Sequence, residues 1–395
     1  MASKWITEPL QGVISYIAKG IPPAYVEVEC ENTVRVLNQK CNRDFAISYV
    51  ESRLHDLSKR SVPQEKYLQD EDILINSTGT GTAGRIAQLS NVPFPTIVDG
   101  HMIILRGNEK VTPRYLGYAL KAQQATVLQF DEGSTGQTEL NRDRLLTEIE
   151  VSYPVSLEEQ EAIAATLSAL DARIVENKKI NHHLEQMAQA IFKSWFVENA
   201  PDDWDYVDLG VVTTEIRTKV KEQQIPVLSA VKTGNLVLSE DYFTKQVYSK
   251  DIGKYIVVEP NDFAYNPARI NIGSIGINGF DSSGCVSPVY VVFRAEPEYH
   301  YFLSFFLKSP NFQEEVRVRA SGSVRQSLNY GDFALIQVLY PPLDVVRKFN
   351  FQYEGILSTL RRLDEENSRL AEIRDTLLPR LMSGELSIAD RSDVK

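Results

Sequence analysis

The chain repeats itself once, with a period of about 189 residues. Glu71-Asp72-Ile73-Leu74-Ile75-Asn76 and the glycine-rich turn after it return as Asn261-Asp262-Phe263-Ala264-Tyr265-Asn266 and a second glycine turn. Gly133-Ser134-Thr135-Gly136-Gln137 is answered by Gly322-Ser323-Val324-Arg325-Gln326, Leu140-Asn141 by Leu328-Asn329, and Tyr153-Pro154 by Tyr340-Pro341. A long heptad-patterned stretch follows each Tyr-Pro. Solenoid units run to only a few tens of residues, so a period this long specifies a duplicated domain-plus-helix unit. Two similar heads on a shared rod suit a protein that reads two separated features at once.

The heads read as mixed α/β units. In the first, Ala24–Val28, Asp72–Ile75, Thr96–Val98 and Met102–Leu105 are β-rich runs punctuated by Pro and Gly, and Pro113–Leu128 has helical spacing. The second head offers Asp262–Tyr265, Val289–Phe293 and a helix near Tyr299–Leu307 in the same order. Between and after them, apolar residues alternate by four and three. One seam is Ile163, Leu167, Leu170, Ile174, Asn177, Asn181, Leu184, Ala188, Ile191 and Trp195. The other is Val346, Phe349, Tyr353, Ile356, Leu360, Leu363, Asn367, Leu370, Arg374, Leu377 and Leu381. This is a coiled-coil pattern, and Asn177, Asn181 and Asn367 are expected to fix its register. Antiparallel pairing within the chain buries both seams. The expected class is therefore α+β, with two similar heads joined by two long antiparallel helices about a pseudo-twofold axis. The expected boundaries are 1–155 and 199–343 for the heads, 156–198 and 344–384 for the helices, and 385–395 for a tail.

Composition excludes several classes. A hydrophobic share of 43% and a charged share of 24% are those of a globular chain. No apolar run approaches the ~20 residues needed to span a bilayer. Met1-Ala2-Ser3-Lys4-Trp5 lacks the features of a signal peptide, so the cytoplasm is the expected location and no membrane partner is expected. Three cysteines without C-x-x-C spacing argue against a disulfide framework or a zinc site. His182-His183 lies on a polar helix stretch and reads as solvated. Net charge is −11, and none of the segments 1–150, 151–200, 201–343 and 344–395 is basic. Binding to nucleic acid then requires positive charge gathered on one face, or supplied by a partner.

Several motifs resemble catalytic ones without completing them. Gly79-Thr80-Gly81-Thr82-Ala83-Gly84 is formally G-x-G-x-x-G, but Asn91-Val92-Pro93-Phe94-Pro95 precludes the helix a dinucleotide site needs. Tyr265-Asn266-Pro267-Ala268-Arg269 is a partial match to the tetrad of amino-methyltransferases, missing the second Pro and the aromatic. Pro201-Asp202 starts a nuclease signature that nothing completes. No nucleophile elbow or Walker lysine is present, so the chain reads as non-catalytic, with no metal and no cofactor of its own. What remains is a set of polar and basic loops. The first head offers Arg53, His55, Lys59, Arg60 and Ser61, then Ser77, Thr78, Thr80, Thr82 and Arg85, then Ser134, Thr135 and Gln137. The second offers Arg217, Lys219 and Lys221, then Asn266, Arg269 and Asn271, then Arg317, Arg319, Ser321, Ser323, Arg325 and Gln326. Arg and Gln suit base edges, while Ser, Thr and Lys suit phosphates. Each of these taken alone is more often an ordinary solvated loop residue; as sets they form candidate DNA contacts.

Leu157-Glu158-Glu159-Gln160-Glu161-Ala162-Ile163-Ala164-Ala165-Thr166-Leu167-Ser168-Ala169-Leu170-Asp171-Ala172-Arg173-Ile174, with Asn181-His182-His183-Leu184 and Ala190-Ile191-Phe192-Lys193-Ser194-Trp195-Phe196 after it, resembles the central conserved region of type I restriction–modification specificity subunits. Leu370-Ala371-Glu372-Ile373-Arg374-Asp375-Thr376-Leu377-Leu378-Pro379-Arg380-Leu381-Met382-Ser383-Gly384 is similar to their C-terminal conserved region. The resemblance covers nearly the whole chain. It implies that the heads are target recognition domains, each reading one half of a bipartite, asymmetric site in double-stranded DNA. It implies that the helices set the spacing and dock two methyltransferase subunits, which bring S-adenosylmethionine. Motor/nuclease subunits would complete the restriction enzyme. Phe333–Leu357 is more aromatic than the corresponding start of the first helix, so the two docking sites need not be equivalent. The alternatives are a recognition subunit of a related fused-type system, and a coiled-coil scaffold that binds no DNA.

Overall fold

The computed structural model describes residues 4–79, 81–132, 138–243, 248–249, 251–319 and 327–388. Two compact units divide the chain: Met1–Asn177 with Glu365–Lys395, and Lys178–Asp364.

The first unit is built on an antiparallel sheet in the order Ile14–Lys19, Met102–Gly107, Ile73–Asn76, Ile86–Gln88. In the second unit, Thr213–Ile216, Val291–Ala295, Phe263–Tyr265 and Ile275–Ile277 follow the same order with the same antiparallel pairing. The inner strands are apolar at nearly every position, and Ile73–Asn76 and Phe263–Tyr265 are wholly buried. A two-stranded ribbon accompanies each sheet, Trp5–Pro9 with Glu150–Pro154 and Tyr206–Asp208 with Gln337–Leu339. The likeness extends to single residues. Glu71 and Asn261 both take φ of 65° just before the inner strand. Asn141 and Asn329 each cap a short helix by accepting from the backbone N–H of Arg144 and Asp332. The first unit adds a second sheet in the order Thr96–Val98, Thr33–Leu37, Arg53–Asp56, Tyr25–Val26.

Three elements differ from the sequence reading. The helix expected over 113–128 stops at Ala122. Gln123 leaves the helical region, and Gln124 turns its amide to Ile86 N and Gly84 O at 2.8 and 2.7 Å. A second short helix, Gln124–Val127, then starts. The strand expected over 24–28 shrinks to Tyr25–Val26, an edge strand that among the described residues pairs with the Arg53–Asp56 strand alone. The strand expected from Val289 starts at Val291, because the Tyr290 N–H closes a turn onto the Ser287 carbonyl.

The two long helices are Leu157–Lys193 and Leu343–Met382, 37 and 40 residues. Within the first unit their segments run antiparallel: Asp171 meets Arg374, Arg173 meets Glu366, and Asn177 meets Asn367. Within the second, Asn181 meets Asp364 and Phe192 meets Phe349. Ile163, Leu167, Ile174, Asn177, Ile356 and Leu363 are buried. Leu170, Asn181, Leu184, Ile191, Leu360, Asn367, Leu370 and Leu377 are half-buried, while His182 and His183 face solvent. In the second unit the start of the C-terminal helix packs into aromatic rings: Phe349 lies against Phe192, Trp195, Phe196 and Phe305, and Tyr353 against Tyr301. Among the described residues no helix is long and apolar enough to cross a membrane.

Candidate nucleic-acid interface

The turn between Ile73–Asn76 and Ile86–Gln88 is where the first unit's polar loops converge. It needs glycine: Gly79, Gly81 and Gly84 take φ of 114°, 69° and 84°. A Cβ on Gly84 would lie 2.8 Å from the Val127 carbonyl oxygen. No helix follows this turn. The chain runs straight into the Ile86–Gln88 strand, so a dinucleotide pyrophosphate meets no helix N-terminus here.

Beneath the turn sits a buried polar floor. Asn42 Nδ2 donates to Asn76 Oδ1 at 3.1 Å and to the Arg85 carbonyl at 2.9 Å. Asn42 Oδ1, Asn76 Nδ2, Ser77 Oγ and Thr138 Oγ1 are buried without partners among the described residues. Above the floor, the Thr78 hydroxyl joins Gln39 Nε2 at 2.6 Å and His101 Nδ1 at 2.8 Å. Arg85 extends its guanidinium toward the Gly81 carbonyl at 3.4 Å.

The remaining candidates of this unit divide. Arg53 pairs in register with Val36, near the end of the Thr33–Leu37 strand that leads into Gln39, and its guanidinium stands 3.5 Å from the Tyr25 ring centre. Beside it, burial pushes the Asp99 carboxyl above its ordinary range. Lys59 and Arg60 lie past the other end of the Arg53–Asp56 strand. Lys59 faces Asp56 at 3.7 Å, and Arg60 donates to the Pro22 carbonyl at 2.6 Å while its own carbonyl meets the buried His55 ring. Thr80, Ser134, Thr135 and Gln137 lie outside the described residues.

The second unit repeats the turn with different side chains. Asn266 Oδ1 accepts from the Ala268 N–H at 3.0 Å, and the Arg269 carbonyl gathers the N–H groups of Ile272 and Ser274 before Gly273 turns at φ of 87°. Arg269 and Asn271 are exposed. The Pro310–Arg319 helix packs beside this turn; Arg319 pairs with Glu315 at 3.0 Å and donates to the Leu335 carbonyl at 3.2 Å. Arg317 pairs with Glu314. Arg217, Lys219 and Lys221 lie on the segment leaving Thr213–Ile216. Arg217 is paired with Glu215 at 2.8 Å, Lys219 bridges to Ile256 through its backbone, and Lys221 holds φ of 56°. Ser321, Ser323, Arg325 and Gln326 lie outside the described residues. No group of three or more His, Cys, Asp or Glu is placed to hold a metal ion among the described residues.

In the first unit, the sheet that carries the turn is fastened to the helix pair by two polar devices, one buried and one half-buried. Gln160, fully buried, bonds the Thr112 N–H and the carbonyls of Lys110 and Pro154 at 2.8, 2.9 and 2.9 Å. Asp171 accepts from Tyr118 Oη, Lys121 Nζ and Arg374 Nη1 at 2.8, 3.2 and 2.7 Å. Burial alone would raise the Asp171 pKa, yet Lys121, Arg374 and Tyr118 hold it below the ordinary carboxylate range.

Sequence reasoning missed Gln39, Asn42 and His101. They arrive through the parallel pairing of Thr96–Val98 with Thr33–Leu37, which sets the loop before Met102 beside the loop after Leu37. Two loops about sixty residues apart carry no periodic signal of that pairing.

Two like units, each with a polar glycine turn on its central sheet and each including segments of the same two helices, define the class: a duplicated two-unit chain. Residues 24–186 match the type I restriction modification DNA specificity domain. The type I restriction enzyme MjaIX specificity subunit of Methanocaldococcus jannaschii is 25% identical over 71% of this chain and 70% of its own length. The HindI specificity subunit of Haemophilus influenzae is 20% identical over 92% of this chain and 95% of its own. A crystal structure of the type I restriction–modification S subunit from M. genitalium shares the fold at a TM-score of 0.58 and 18% identity, covering 96% of both chains. Over these lengths the chain is similar to the specificity subunits of type I restriction–modification systems.

Proposed function

We propose that each unit reads one half of a bipartite, asymmetric site in double-stranded DNA. The observation that carries this reading is the duplication of a polar, glycine-built turn at the same place in two equivalent sheets. In the first unit Thr78, Arg85, Gln39 and His101 serve the half-site, with Arg53 beside them. In the second, Asn266, Arg269, Asn271 and Arg319 do so. Arg and Asn offer bidentate pairing to guanine and adenine edges, and Thr and Lys hold phosphates. The long helices set the gap between half-sites and dock two methyltransferase subunits. Those subunits bind S-adenosylmethionine and methylate adenine, and motor/nuclease subunits cut. This chain supplies no catalytic group, and the complex works in the cytoplasm. The net charge of −11 fits the division of labour, since the methyltransferase subunits then share the contacts to the phosphate backbone.

The test is co-expression with the neighbouring methyltransferase subunit, followed by genome-wide mapping of methylated adenines. Two short sequence blocks separated by a fixed unspecified gap, present only with this chain, are the expected result. A well-formed complex that adds no methylation overturns the reading.

A further inference from the structure

The two units hold the same Asp–Arg ion pair, with a buried carboxylate, in different surroundings. In the first, Asp72 receives Arg106 through Nε and Nη2 at 2.7 and 2.8 Å. The rest of that guanidinium is also satisfied by the chain itself. Nη1 donates to the Glu65 carbonyl and Nη2 to the Tyr67 carbonyl, at 3.1 and 2.8 Å, and the Tyr16 ring centre lies 4.8 Å away. In the second, Asp262 receives Arg294 through Nε and Nη2 at 2.6 and 2.9 Å, and Nη1 has no partner among the described residues. The cross-strand neighbour of Arg106 is Tyr16, whereas that of Arg294 is Thr214. Beside Arg294 the second unit has a cavity of about 630 Å³ walled by Ile216, Val257, Arg294, Pro297 and His300. His300 Nε2 is buried without a partner among the described residues. Arg294 is 50% exposed where Arg106 is 17% exposed.

We propose that this cavity is a docking slot for a segment of a partner protein that lays an aromatic side chain on Arg294 and offers it a backbone carbonyl. The first unit shows what completes the arrangement, because its own chain supplies both groups. A guanidinium with a free face and a free N–H is suited to an aromatic ring and a neutral acceptor together. The volume is that of an ordinary small-ligand site and holds a Tyr, Phe or Trp side chain with its flanking peptide. Glu259 and Asp262 stand in the same wall, and their charge disfavours a phosphate backbone as the occupant.

The full chain is titrated with N-acetyl-tyrosine amide, a neutral probe carrying one ring and free carbonyls, by saturation-transfer NMR. N-acetyl-leucine amide and inorganic phosphate are the controls. Saturable binding in the millimolar range is expected for the tyrosine probe alone. Thr214→Tyr sets a ring across the strand pair from Arg294, as Tyr16 stands to Arg106, and it is expected to weaken that binding at least tenfold while raising the thermal midpoint. Should Thr214→Tyr not fold, Arg294→Lys, which keeps a charge opposite Asp262 and loses the planar face, is read in the same way. No saturable binding, equal binding of the leucine probe, competition by phosphate, or an unchanged affinity in the variant overturns the proposal. No step of this test involves DNA, so its failure leaves the methylation map to judge the recognition reading separately.

Discussion

Asp171 gathers Tyr118, Lys121 and Arg374 on one carboxylate, so it joins the Pro113–Ala122 helix to both long helices within the first unit. Removing one member of a half-buried ionic group strands the others. Asp171→Asn is expected to cost roughly 3 kcal/mol, read as a lower urea midpoint of the full chain. The pH dependence has a definite sign. Because the folded carboxyl is held below its ordinary value, its contribution is complete above about pH 4 and is lost as pH falls through the lowered folded pKa. The gap between native chain and variant should close in that acid window, and a constant gap would show that Asp171 acts through packing alone. The glycine turn offers a second contrast. Gly84→Ala drives a Cβ to 2.8 Å from the Val127 carbonyl at a positive φ, whereas Gly81→Ala, at φ of 69°, meets open space. Gly81→Ala should cost about 1 kcal/mol for the conformation alone, and Gly84→Ala distinctly more, in the same urea experiment.

Among the elements, the helix pair carries a polar layer at Asn177 and Asn367, joined amide to amide at 3.0 Å. Asn177 is fully buried, and its Oδ1 has no partner among the described residues. Asn177→Leu alone leaves the Asn367 amide facing an apolar side chain and should lower the thermal midpoint. With Asn367→Leu added, the unmet polar groups disappear, and stability should rise above the native chain by about 1–3 kcal/mol. A double variant no more stable than the single would show that the layer is not energetically costly. The seam itself was legible in the sequence, because a 3.5-residue period states which face is buried. So were the inner strands, where apolar runs such as Ile73–Ile75 are buried on both faces. The caps at Asn141 and Asn329 were visible only as matched pairs, and their role needed the backbone. The break at Gln123 was not legible, since nothing local forbids helix there; the distant Ile86 and Gly84 backbone draws the Gln124 amide away. The convergence of Gln39, Thr78 and His101 was illegible for the same reason, being made by sheet order rather than by local pattern.

For the whole chain, duplication predicts modular reading. Replacing residues 201–339 with the corresponding head of another specificity subunit should change one block of the methylated site and leave the other block as it was. Change in both blocks would mean that the units do not read independently. Insertion of one helical turn, about 3.6 residues, near Asn177–Asn181 should alter the tolerated gap and neither block. An unaltered gap would remove the helices from the role of spacer.

The two units also differ in how the polypeptide supplies them. The second is a continuous stretch, Lys178–Asp364, while the first needs both Met1–Asn177 and Glu365 onward. Leu378, Leu381 and Met382 belong to the first unit's core, and Gly384 turns at φ of 74° against the Trp5 ring. Domains ordinarily fold in the order the ribosome releases them. Here the later unit is continuous in sequence, while the earlier one lacks its last helical segment until Glu365 onward has been made. Until translation reaches the far end of the C-terminal helix, Ile163, Leu167 and Ile174 have no partner strand of helix. A premature stop near residue 364 is thus expected to spare the second unit and destabilise the first, although Met1–Asn177 had already been made.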